Sequence, residues 1–467
     1  MSLKAPLLAA AARRVINPPP GIAHGTWGAQ VHERAEGQDM DLLVTALAVS
    51  DGINSAVVLD VDMQIFTTDA ADRLRAIVSE ATGLPVEAIR VSATHTHSSP
   101  TPYKSWITQG WDLVGPWFDL VNDMSAEAAR EAISALKPAI VRAGRGECHI
   151  NTNRRATIAD GRVILGKNPD GFSDREVLVI KMNAADSGET IATIVNYACH
   201  PTIMGPSNRL ITPDYPGATR QTVEEAVGGK CVFLLGAAGD QGPVQGFGDD
   251  VRVYRRLGET LGHAAAKVAM ELDLVPTETR LRELVESGGS LGYYNDEFAS
   301  VPVLPLVVQQ HDIAVPLRDD IPALDAAREN ATAAHVALKQ ARDSDDDSAM
   351  RQSIVRARRA DLKLRLAEDF HGRSDVGVRT HFLCFGDVAL VASNIEPFAE
   401  IGVHIKQHSP FPVTLVSGYT NGRLAYMPTP GEWTRGGHEV LNSPFGQHAS
   451  EAYQAKVLEI LHCIRGQ

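Results

Sequence analysis

Apolar and polar positions fall into short blocks along the chain, and their spacing changes from block to block. Two apolar runs, LLVTALAVS (42–50) and SAVVLDV (55–61), flank Asp51-Gly52, the short-range signal of a hairpin, so the pattern predicts antiparallel strands there. A helix follows in TTDAADRLRAIVSEATG: Thr68 and Asp69 supply a cap, Leu74, Ile77 and Val78 recur at helical spacing, and Gly83 with Leu84-Pro85 ends it. AIRVSAT (88–94) then reads as a strand. Strand, helix and strand in that order imply a crossover and at least one parallel pair. The same grammar returns in TIATIVNYA, KCVFLLG, GDVALVAS and FPVTLVSG, β-branched runs that each end in small or polar residues and suit buried strands. The expectation is an α/β fold of layered mixed β-sheets flanked by helices.

One region departs from this pattern. IPALDAARENATAAHVALKQAR and AMRQSIVRARRADLKLRLAEDF are helix-period segments on either side of the acidic turn DSDDDS, and predict an exposed helical hairpin inserted at 317–370. A structural arm, a lid or a contact between copies would each fit, so an oligomer through the hairpin is open. With no internal repeat or low-complexity linker, residues 1–467 are expected to form one domain around this insertion.

Composition narrows the function classes. The 467 residues are 44% hydrophobic and 22% charged, enough for a large core. A net charge of −13 without a basic run disfavours nucleic acid, whose binders release counterions through basic patches. The apolar stretches, such as Leu42 to Val49, fall well short of the roughly 20 residues that span a bilayer, so no transmembrane segment is expected. The start MSLKAPLLAAAARRV has a lysine before an apolar run, but the run is short and arginines follow where a cleavage site would lie. Cys148, Cys199, Cys231, Cys384 and Cys463 form no CxxC pair and no even set. A reducing cytoplasm is the expected compartment, with secretion left open.

Ligands of α/β sheets gather beyond the carboxyl ends of the strands, where loops converge over a rigid base. His95 and His97 follow AIRVSAT, His200 follows TIATIVNYA, Asp240 follows KCVFLLG, Glu396 follows GDVALVAS, and Tyr426 lies in the loop after FPVTLVSG. In an extended segment residues i and i+2 share a face, so the two histidines of THTH can enter one pocket. Imidazole, carboxylate and phenol together suit zinc with one position open to water. The bland alternative is a pair of turn histidines, one of them solvated. Glu396, flanked by apolar residues, needs either a cation or a metal. GAAGDQGP lacks the Lys-Ser/Thr of a phosphate loop and is a tight turn, in which Asp240 either holds a site histidine or caps. No GxSxG elbow is present, and Cys199 should face away from His200, so covalent catalysis is not expected.

These residues resemble the neutral/alkaline non-lysosomal ceramidases and their bacterial relatives. The resemblance runs through PPPGIAHGTWGAQVHERAEG, THTHSSP, NTNRR, SDREVLVIKM, NYACHPT, GAAGDQGP, NIEPF and NGRLAYMPTPGEW, in family order from about residue 16 to 435. It implies a ceramidase-like catalytic domain and a zinc-dependent amidohydrolase cleaving linear N-acyl amides of lipid-like substrates through a metal-activated water. Carried onto matching positions, the metal ligands are His95, His200, Glu396 and Tyr426. His97 becomes a non-ligating proton carrier, Tyr426 also a stabiliser of the oxyanion, and Asp240 a further member of the catalytic set. Arg154, with Gln241, would hold the substrate. In one departure Gly242 stands where that family has an active-site serine, which opens the substrate, and ester as against amide, to question. In another, no immunoglobulin-like region follows the pattern. A non-catalytic binding protein that keeps a closed metal site is the reading from another class.

Overall fold

A computed structural model describes residues 7–104, 107–273, 278–297, 305–343 and 346–466. Its largest sheet has eight strands in the spatial order Lys230–Leu235, Thr190–Tyr197, Glu176–Ala184, Lys137–Glu147, Leu8–Val15, Leu43–Ser50, Ser55–Val61, Ile89–Ala93. Among the described residues the ladder between the two halves is short, with Leu8 and Ala9 pairing with Pro138 and Lys137. The outermost pairs, Thr190–Tyr197 with Lys230–Leu235 and Ser55–Val61 with Ile89–Ala93, are parallel, and the intervening pairs are antiparallel. Each parallel pair needs a crossover, which the helices Thr68–Thr82 and Tyr215–Val227 supply. Thus the hairpin at Asp51-Gly52 and the strand–helix–strand unit both form as the sequence predicts. The helix cap sits one residue earlier than expected: Thr67 Oγ1 accepts from Ala70 N–H, and Gly83 closes the helix at φ +74°.

A second sheet runs Val307–Pro316, Asp375–Phe385, Val388–Ser393, Val413–Ser417. Leu47, Val58, Ile180, Leu234, Leu390 and Leu415 form one buried cluster, so the two sheets share an apolar layer. Helices close the outer faces: Thr68–Thr82 and Val114–Ser134 over one half of the large sheet, Tyr215–Val227 and Val251–Glu271 over the other, and Ala399–His408 with Ala449–Arg465 over the second sheet. This is the layered mixed α/β fold anticipated above. Strand Leu8–Val15 is interior to the large sheet, with Ala9 and Ala12 buried. The alanine-rich start, from Leu7 onward, is therefore read as a strand by its burial. Residues 1–6 of it lie outside the described residues.

The predicted hairpin is present as the helices Leu324–Arg342 and Asp347–Phe370, with part of its acidic turn outside the described residues. It is not simply an exposed arm. Ala331, Ala334 and Leu338 from one helix and Ile354, Ala357 and Ala360 from the other are buried in the same cluster as Trp117 and Val121. Small alanines let the helices approach the body closely, an effect that a count of charges along the segment hides. No helix among the described residues is long and apolar enough to cross a membrane, and all five cysteines are free.

Candidate metal centre

Strand ends bring the site together. Past Ile89–Ala93 the chain turns at Thr94, whose N–H donates to Val61 O, and at His95, whose N–H donates to Met63 O. His95 takes φ +69°, a left-handed conformation that residues with side chains seldom adopt and that gathers at functional sites. Past Thr190–Tyr197, His200 N–H donates to Gln241 O at 3.1 Å, so the tight turn after the neighbouring parallel strand sets its position. Glu396 and Tyr426 face each other directly across a two-residue parallel pairing of Glu396–Pro397 with Tyr426–Met427. Ser55–Val61 leads into the turn that holds His95, and its Asp60 and the following Asp62 are anchored by Arg220.

Each histidine is oriented from behind. His95 Nδ1–H donates to Gln64 O at 2.7 Å and His200 Nδ1–H to Ala238 O at 2.6 Å, which leaves both Nε2 lone pairs facing forward. His97 Nδ1 is paired with Thr26 Oγ1 at 3.1 Å. The Nε2 atoms of all three, and Glu396 Oε2, are buried without a partner. Glu396 Oε2 lies 3.7 Å from His95 Nε2 and 3.5 Å from His200 Nε2. Tetrahedral zinc with bonds of about 2.0–2.1 Å places its ligand atoms about 3.3 Å apart, so these separations match a metal-sized gap. Ligand atoms of His95, His97 and His200 also lie within 4.8 Å of one another. Orphaned buried polar atoms are costly, and a group of them set this close together could hold a metal ion.

The electrostatics agree. Burial pulls His95 down to about 3, with Glu396 opposing, and His200 down to about 4, with Arg154 adding to the fall. Burial and then His95 hold His97 well below its usual value. Burial alone would raise the Glu396 carboxyl, but Arg423, whose Nε–H donates to Oε1 at 2.9 Å, and the two imidazoles outweigh it and keep it ionised. Neutral imidazoles beside a carboxylate are in the protonation state that metal binding needs. Burial and then Glu396 raise the Tyr426 phenol, which stays a hydrogen-bond donor at neutral pH.

The remaining expected residues divide. Arg154 reaches the site: its Nε–H donates to Glu439 Oε1 at 2.9 Å, its guanidinium lies 5.5 Å from the centre of the Tyr426 ring, and its Nη2 is buried without a partner. Asp240 takes the second of the two places expected for it, that of a cap. Its Oδ1 accepts from Ala399 N–H at 2.8 Å and its Oδ2 from Asn153 Nδ2 at 3.2 Å, so it caps the helix Ala399–His408 and holds no site histidine. The carbonyl of Ala238, two residues earlier, takes that task. Gln241 keeps one side-chain atom unpartnered, its buried Oε1. It is wholly buried, and its Nε2 donates to Phe172 O at 3.0 Å. Its main-chain carbonyl is what serves the site. Cys199 faces the cluster of Tyr197 and Tyr215, as expected.

Residues not anticipated complete the surroundings. The Tyr419 ring lies 4.2 Å from that of His95, at φ +56° and with its hydroxyl buried and unpartnered. Trp27 lies 4.9 Å from the His97 ring and meets Phe247 edge-on at 5.5 Å, an aromatic wall beside the histidines. The YTNG turn was the one sequence signal for Tyr419. Trp27 stands in the GTWG segment of the resemblance, but that it meets His97, 70 positions along the chain, appears only in the fold.

Comparison with known proteins bears out the resemblance read from the motifs. Residues 25–249 match a family model described as Neutral/alkaline non-lysosomal ceramidase, N-terminal. That region holds His95, His97, Arg154 and His200; Glu396 and Tyr426 lie beyond it. The fold is similar to that in a crystal structure of neutral ceramidase from Pseudomonas aeruginosa, with a TM-score of 0.69 and 18% identity over 99% of this chain and 75% of that one. It is also similar to a structure described as ceramidase complexed with C2, at a TM-score of 0.68 and 17% identity over 99% of this chain and 76% of that one. At such identities the likeness is one of fold. No curated protein matches the chain.

Proposed function

We propose, starting from a chain that resembles the neutral/alkaline non-lysosomal ceramidases in motifs and in fold, that this protein is a zinc-dependent hydrolase of linear N-acyl amides. The observation that carries the reading is the convergence of unpartnered His95 Nε2, His200 Nε2 and Glu396 Oε2 at spacings suited to one ion. Family likeness supports the amide bond as the target, and the apolar wall of Trp27 and Phe247 supports an acyl chain beside it. His95, His200 and Glu396 would hold the ion, with Tyr426 opposite Glu396 as the fourth ligand. Bound zinc supplies Lewis acidity, polarising a carbonyl and bringing the pKa of water toward about 7.

The chain's own groups do the rest. His97 Nε2 has no partner, and Thr26 orients the ring from its Nδ1 side. It is the group placed to take a proton from water and return it to the leaving amine. The Tyr426 hydroxyl would donate to the developing oxyanion, and the unpartnered Nη2 of Arg154 to a substrate oxygen. Burial behind the aromatic wall lowers the local dielectric and strengthens each of these contacts.

Metal analysis together with hydrolysis of N-acyl amides tests the assignment. His95→Ala should lose both stoichiometric zinc and turnover. His97→Ala should keep zinc and lose turnover by 100-fold or more, about the worth of a positioned acid–base group. Full zinc and activity in the His95 variant would sink the reading, and loss of zinc from the His97 variant would move His97 into the ligand set.

A further inference from the structure

The helical hairpin brings arginines to the mouth of the proposed site. Arg358 Nη2 donates to Thr26 O at 2.5 Å, and the hydroxyl of the same Thr26 is the partner of His97. Two turns further along the same helix face, Arg365 stacks over the Tyr103 ring at 4.0 Å. From the other helix, Arg342 pairs with Glu33 at 3.6 Å. Arg358 is near enough to the centre to be among the charges acting on His97.

Other cations of the site already have carboxylates. Arg154 meets Glu439, and Arg423 meets Glu396. Among the described residues Arg358 has no carboxylate within ion-pair distance. The charge that opposes its burial is that of Asp361, which is itself bonded to His335 at 2.7 Å, and Arg365 adds a like charge. Burial accordingly draws Arg358 down to about 10. A guanidinium carries five donors in a planar fork, and one carbonyl does not use them. A half-buried arginine with no carboxylate partner among the described residues, bonded to the residue that orients His97 and adjoining Trp27, is placed to receive an anion that arrives with the substrate.

We propose that the hairpin forms one wall of the substrate pocket and that Arg358 receives a carboxylate on the amide, which makes the substrate class N-acyl amino acids. The acyl chain lies along Trp27 and Phe247, and the carboxylate takes the guanidinium fork. Hydrolysis breaks the acyl C–N bond; the hydroxyl of water goes to the acyl carbon and a proton to nitrogen, releasing a fatty acid and an amino acid. This rests on the amide-hydrolase reading above and adds to it the charge of the substrate.

The test compares kcat/KM for N-lauroylglycine with that for N-lauroylethylamine, which lacks the carboxylate, in the full chain and in Arg358→Ala and Arg358→Lys. The expected result is a native preference for the glycine conjugate of tenfold or more. Arg358→Ala should reduce that ratio by about tenfold or more, mainly through KM, as expected for loss of a charge-assisted hydrogen bond. Arg358→Lys should restore part of it, since charge survives and the fork does not. Calorimetric binding of N-lauroylglycine to the same three proteins reads the anion site without turnover, and thermal melting identifies a variant that has failed to fold. Hydrolysis of both amides with a ratio unchanged in Arg358→Ala overturns the anion site and leaves the hydrolase standing. Arg358-dependent binding with neither amide cleaved supports the anion site and overturns the hydrolase.

Discussion

Gly242 is the residue at which this chain and the family it resembles differ most pointedly, and its surroundings decide what that difference means. It is not among the glycines at positive φ, and a Cβ built on it would meet Arg154 Cβ at 3.2 Å and Arg154 Cδ at 3.7 Å. No backbone conformation here demands glycine, but the nearest atom is a Cβ fixed to the Arg154 backbone, so a serine makes the two neighbouring strands give by a few tenths of an ångström. Gly242→Ser should therefore fold at a cost of about 1–3 kcal/mol and keep the metal content of the native chain, measured by thermal melting and metal analysis. Loss of the metal would show that Arg154 cannot move without disturbing the ligands. At this scale His95, His200, Glu396 and Tyr426 are legible in the sequence because each follows a strand whose apolar run announces it. Arg423 and Tyr419 are not, although Arg423 sets the charge of Glu396 and Tyr419 packs on His95. Short stretches without a periodic pattern hold them, and their importance comes from what they touch. Asp240 stayed open in the sequence for the converse reason: a carboxylate in a turn reads the same whether it holds a histidine or caps a helix.

The element that carries Glu396 is only two residues long, and it is fixed by close backbone approach rather than by an extended ladder. Gly239 lies against it so closely that a Cβ there would meet Glu396 O at 2.6 Å, Phe398 Cδ1 at 2.9 Å and Pro397 O at 2.9 Å. Gly418 stands on the other side, where a Cβ would meet Ile395 O at 2.5 Å. Backbone atoms cannot swing aside as a side chain can. Gly239→Ala should push Glu396 away from His95 and His200, destabilising the fold by about 1–3 kcal/mol and weakening zinc binding. Zinc affinity by competition with a chromogenic chelator checks this, and unchanged affinity would mean that the short strand is free to shift. GAAGDQG could be read in the sequence as a turn allowing close approach, but not what approaches it. The hairpin shows the same division. Its helices were legible from their period, whereas their burial against Trp117 and the reach of Arg358 to Thr26 depend on alanines and arginines that also suit a solvated arm.

Taken as a whole, the molecule places its proposed ligands on chain segments far apart in sequence: His95 and His200 from the two parallel ends of the large sheet, Glu396 and Tyr426 from turns beyond the second sheet. An ion held by all of them ties together layers that otherwise meet through apolar contact, so metal and fold should be coupled. The layers themselves were foreseeable, because strand–helix–strand blocks specify crossovers. The closing of the large sheet so that its two ends meet was not, since it depends on long-range pairs such as Phe233 N–H donating to Asp60 Oδ2 at 2.8 Å. A ligand that binds only the native state stabilises it by about 2.7 kcal/mol when its free concentration is 100 times Kd. A chain of this length has an unfolding entropy of about 1 kcal/mol/K, so the melting temperature should fall by about 3 °C when dipicolinate removes zinc, and recover on its return. His97→Ala should show the same shift, because its ligands are intact. His95→Ala should melt at one temperature with or without chelator, having no ion to lose. Equal melting of the zinc-loaded and stripped native chain would mean that the ion, if bound, does not hold the layers together.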